Sequence, residues 1–147
     1  MTEDFQTPPA PSEITARVKR NARQVLLPAA LLILYGFFLA PQQSDPLLTQ
    51  TVTGIIWASR IGAAMLMVAA VLCRTGAVAG LMVDALTSSG LGAAFAAATG
   101  VLASRGFVLY DGVITAVFAL VFLRAAWSLW QDYAAFRRAD SPPDPPE

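Results

Sequence analysis

Residues 76–103 read GAVAGLMVDALTSSGLGAAFAAATGVLA, with glycine, alanine or serine at sixteen of the twenty-eight positions. An apolar segment of this length is expected to cross a bilayer as a helix. Its small residues let neighbouring backbones approach closely, which is how helices associate in lipid. Gly76, Gly80, Ser88, Gly92 and Gly100 are the expected packing positions on this helix. One carboxylate, Asp84, lies inside it, flanked one turn to either side by Gly80 and Ser88. An ionisable group at membrane depth needs a partner, water or a purpose. Thr87-Ser88-Ser89-Gly90 is the expected place for a break, because hydroxyls there can bond back to the helix and bend it.

Composition points the same way. The chain has 147 residues, 56% of them hydrophobic and only 14% charged, a balance outside the soluble range. Ten basic and ten acidic residues cancel, so net charge suggests no nucleic-acid partner. With no histidine and one cysteine, Cys73, the inventory excludes a His/Cys metal site, a Ser/His/Asp triad and a disulfide framework. No cofactor is implied. Cys73, at the end of an apolar run beside Arg74, reads as a small interfacial hydrophobe, with palmitoylation the weaker option.

Outward from the quoted stretch, three further spans emerge, giving an all-α integral membrane bundle of four transmembrane helices with short loops. Residues 1–11 are a proline-rich tail. Residues 12–24 form a basic juxtamembrane helix, with Ile14, Val18 and Ala22 on one face. Arg17, Lys19, Arg20 and Arg23 in that segment are expected to meet anionic lipid headgroups. The first span covers 25–40, with Pro28 in its first turns, the second about 52–73, the third 76–103 and the fourth about 107–129. Only Arg74 and Thr75 separate the second and third spans, which must form an antiparallel hairpin. Trp127, Trp130 and Tyr133 form an interfacial aromatic belt ahead of a proline-rich acidic tail. Seven flanking Lys/Arg, those four with Arg74, Arg137 and Arg138, face Arg105 alone on the other side. Both termini are therefore expected in the cytoplasm.

Four ionisable residues fall within the spans. Arg60 and Asp111 match in depth near one surface, Asp84 and Arg124 near the other, so two neutralised pairs are expected. The small multidrug exporters share this size and span number, but the glutamate they use in the first span has no counterpart here. The leading expectation is a non-catalytic structural or accessory subunit that packs as a homo-oligomer or in a larger membrane complex. A small transporter or proton-linked channel using Asp84 and Asp111 is second, and a membrane enzyme a distant third.

Overall fold

The computed structural model describes residues 11–38, 45–106 and 112–139. Residues 1–10, 39–44, 107–111 with Asp111 among them, and 140–147 lie outside, while 134–139, expected as the start of the C-terminal tail, continue the last helix. Four helices follow in order: α1 (Pro11–Phe38), α2 (Pro46–Arg74), α3 (Ala79–Ser104) and α4 (Val113–Ala139). Among the described residues there is no strand. α2, α3 and Val113–Arg138 of α4 are each long and apolar enough to cross a membrane.

The basic segment and the first span are one helix rather than two. Val18, Ala22, Val25, Ala29 and Leu32 recur at helical spacing through both and are buried, so one stripe faces the bundle from end to end. Pro28 therefore lies inside α1 instead of in a first turn. Having no N–H, it leaves the Gln24 carbonyl without its intrahelical donor.

α2 starts at Pro46, earlier than the apolar pattern suggests, because Asp45 caps it. Its backbone is extended and its Oδ1 accepts from the Leu47 amide at 2.8 Å, with Pro46 in the first turn. Its Oδ2 meets Arg105 Nη1 at 2.6 Å, tying the start of α2 to the end of α3. Such an exposed pair contributes at most about 1 kcal/mol.

The turn from α2 to α3 corrects the expected start of the third helix. Gly76 has φ +83°. Its amide bonds Cys73 O at 3.0 Å and that of Ala77 bonds Leu72 O at 3.1 Å, the paired bonds of a Schellman ending. Gly76 is thus a turn residue, chosen for its left-handed backbone rather than for helix packing. α3 then begins at Ala79 and returns against α2 at Gly80, where a Cβ would stand 2.7 Å from both Cys73 N and Cys73 Sγ. The expected antiparallel hairpin is present.

α3 is unbroken through Thr87–Gly90. Thr87 and Ser89 donate to the carbonyls of Val83 and Ala85, each at 2.7 Å, within a helix whose backbone ladder continues. The same hydroxyls that can bend a helix are satisfied here without opening it.

α2 packs closely on α1 and α3, and α4 on α3, whereas the α1 backbone stays farther from α3 and α4 and meets them through side chains. A cleft remains along the seam between α1 and α4. Its centre is aromatic: Phe95 of α3 stacks with Phe118 and Phe122 of α4 at centroid distances of 5.2 and 6.2 Å, and Tyr35 of α1 reaches Phe118 at 5.1 Å. Two close approaches set the packing elsewhere. A Cβ on Gly62 would meet Leu91, and one on Gly92 would lie 2.8 Å from Leu123 Cδ2. Thr99 and Thr115, joined at 2.9 Å, add a polar tie between α3 and α4.

Candidate functional site: a buried carboxylate at the open seam

Asp84 is 3% exposed on the inner face of α3. Its Oδ2 accepts from Asn21 Nδ2 of α1 at 2.8 Å, and its Oδ1 from the Ser88 hydroxyl one turn on at 3.2 Å. Both carboxylate oxygens are thus held by neutral donors. Asn21 Nδ2 also lies 4.0 Å from Cys73 Sγ, at the limit for a sulfur acceptor. The Asn21–Asp84 bond is a polar tie between α1 and α3. Cys73 itself is fully buried, which leaves its thiol no surface for acylation in this fold.

The carboxylate borders a cleft of about 190 Å³ at the open seam, lined by Asn21 and Gln24 of α1, Asp84 and Ser88 of α3, and Ser128 and Asp132 of α4. Pro28, Leu66 and Phe122 also line it. Along α1 the lining passes from Asn21 to Pro28, and along the antiparallel α4 from Asp132 to Phe122. The cleft is therefore polar towards the α1 N-terminal end and apolar deeper in the bundle.

The expected pair of Asp84 with Arg124 is not formed. Arg124 is exposed on α4, while Phe122, Ala126 and Leu129 face inward, so its side chain is on the wrong side of the helix to neutralise Asp84. Common depth does not fix the angle around a helix axis. Arg60 is also exposed. Its guanidinium lies 5.1 Å from the Phe37 ring and 5.9 Å from that of Trp57, and its Nη2 stands 3.5 Å from Gly36 O in the last turns of α1. Aromatic faces and a helix C-terminus both favour a cation. Its proposed partner, Asp111, lies outside the described residues.

The packing positions divide. Gly80, Ser88 and Gly92 are buried where expected, while Gly76 belongs to the turn. Gly100 is exposed, with nothing within 4 Å of where a Cβ would stand, and so packs against nothing among the described residues. In the aromatic belt, Trp130 Nε1 donates to Ser89 Oγ at 3.2 Å and stacks edge-on against Tyr133, while Trp127 is 70% exposed. Arg17, Lys19, Arg20 and Arg23 are exposed along the first turns of α1.

Asn21 is the site residue that charge counting missed. It carries no charge and sits among four cations, but an amide one turn from the apolar run is a ready donor for a carboxylate at the same depth. Among the described residues no group of three or more acidic, cysteine or histidine side chains is placed to hold a metal ion. No protein family, curated protein or solved structure matches this chain.

Proposed function

We propose that the protein is a non-catalytic membrane subunit that acts by assembly, with a second copy or within a larger membrane complex, through the outward face of α3. The observation that carries this reading is a contrast between outer surfaces. On the C-terminal half of α3, Gly90, Ala93, Ala97 and Gly100 are exposed and, at about 100° per residue, lie within one arc, which continues towards the helix start as the larger Leu86 and Met82. The outward faces of α1 and α4 instead present Leu27, Leu34, Phe37, Leu120, Val121 and Trp127. Beside the α3 face runs a groove of about 310 Å³ towards α2, bordered by Gly54, Ala58, Ala94 and Ala97. A Cβ at Gly54, Gly90 or Gly100 would meet nothing within 4 Å among the described residues, so these glycines relieve no crowding there. Small outward surfaces in lipid are where helices come into close contact. Purification in mild detergent tests the proposal: it requires a species larger than one 15.6 kDa chain. A protein that runs as a lone monomer in several mild detergents contradicts it.

In this reading both termini face the cytoplasm, on the seven-to-one flanking charge. In a Cys73→Ser background, Glu13→Cys is expected to be shielded from an impermeant thiol reagent in intact cells and Ser104→Cys to be labelled. The reverse pattern overturns the orientation.

A second reading, a proton-linked transporter, is favoured by one observation. Asp84 has only neutral donors and borders a cleft that is polar at one end. Vesicles that pass protons with wild-type protein but not with Asp84→Asn would put this reading first.

A further inference from the structure

We infer that the groove between α1 and α2 is a binding site for one anionic phospholipid, with its phosphate among Lys19, Arg23 and Arg74. The groove has a volume of about 580 Å³. Lys19 and Arg23 are one turn apart on α1, and Arg74 ends the antiparallel α2, so two helices deliver three cations to the same end. None of the three is in an ion pair among the described residues, and no acidic side chain lines the groove.

The rest of the lining matches the remainder of such a lipid. Below the cations the walls are Leu26, Met67 and Val71, respectively 54%, 48% and 64% exposed, and the floor is Ala22 and Ala70. Small floor residues between larger walls leave a trough that runs from the charged end into the apolar part of the bundle. A cationic mouth over an apolar trough is complementary to a phosphate with acyl chains attached. It is poorly matched to a soluble anion, which would leave the trough empty. Basic pockets between helices at a membrane surface are suited to anionic headgroups.

Position on the helix separates this site from general attraction of a basic segment to lipid. At about 100° per residue, Arg20 and Arg17 lie roughly 100° and 160° around α1 from Lys19, and neither lines the groove. They form an internal control that matches the charge of Lys19 and Arg23 on the same few turns of α1.

The test is native mass spectrometry of the purified full chain with phosphatidylglycerol or phosphatidylcholine. One retained phosphatidylglycerol per chain, and little phosphatidylcholine, is expected. Each cation near an anionic headgroup is worth roughly fivefold in affinity, so Lys19→Gln/Arg23→Gln/Arg74→Gln is expected to lower retention on the order of a hundredfold. Arg17→Gln/Arg20→Gln is expected to keep it within about fivefold. These side chains are exposed, so the variants leave the packed core untouched. Equal loss in the two variants overturns the site in favour of diffuse electrostatics. Displacement of the lipid by millimolar inorganic phosphate overturns the lipid assignment, and retention unchanged in the triple variant overturns both.

Discussion

Replacing Asn21 by leucine removes the donor to Asp84 Oδ2 while roughly keeping side-chain volume. The bond is 2.8 Å long, and Asp84 is 3% exposed, so water does not readily take the place of the lost amide. A buried polar group left without its partner costs about 1–3 kcal/mol, more if it is charged. Ser88 still donates to Oδ1, which places the expected loss for Asn21→Leu in that range rather than above it. Asp84→Leu alone strands the Asn21 amide and the Ser88 hydroxyl. In Asn21→Leu/Asp84→Leu neither group of the α1–α3 bond is stranded, so the double variant is expected to lose less than the sum of the singles. Interhelical hydrogen bonds in membrane proteins show coupling of about 0.6 kcal/mol, with a maximum near 1.7 kcal/mol. The expected coupling lies between those figures. Reversible unfolding in mixed detergent micelles, followed by tryptophan fluorescence, measures it. Trp130, bonded to Ser89 and packed on Tyr133, is a suitable reporter of α3–α4 packing. Singles that add to within about 0.3 kcal/mol would show that the two side chains do not interact, and the account of the seam would be wrong.

The same unfolding assay reads three further expectations. Gly80→Ala places a methyl 2.7 Å from a backbone nitrogen that cannot move aside, and is expected to cost about 1–3 kcal/mol or more. Gly76→Ala, forced to hold φ +83°, is expected to lose about 1–2 kcal/mol through backbone strain alone. Asp45→Ala removes the α2 cap for about 1 kcal/mol, whereas Arg105→Gln is expected to cost less than about 1 kcal/mol, an effect that shrinks as salt is raised.

Most of the architecture can be read in the sequence because membrane spans announce themselves by length and apolarity, and three of the four helices meet that test. The tight α2–α3 connection was equally readable, since two residues cannot join helices that are not neighbours. The placement of Gly80 and Ser88 around Asp84 followed from helical periodicity alone. Periodicity groups residues on one face of a helix but leaves open which neighbour, if any, that face meets. Arg124 is expected at the depth of Asp84 but faces outward, and Gly100 lies on a helix that packs against both of its neighbours yet points away from the bundle. Asn21 is not marked by charge, since its amide carries none. The supposed break at Thr87–Gly90 rested on a tendency of hydroxyls that continuous tertiary packing on both sides overrides. Gly62, a close approach of α2 to Leu91, is hidden in sequence because a lone glycine in an apolar run carries no sign of its neighbour.

The central claim is that the outward face of α3 is an assembly surface, and Gly90→Leu/Gly100→Leu tests it most directly. A Cβ at either position meets nothing within 4 Å among the described residues and both positions are exposed, so the bundle itself is expected to fold unchanged, with wild-type tryptophan fluorescence. Sedimentation in mild detergent is the measurement. The wild-type protein is predicted to sediment as an assembly, and the double variant as a folded monomer. A double variant that assembles as the wild type does would contradict the claim.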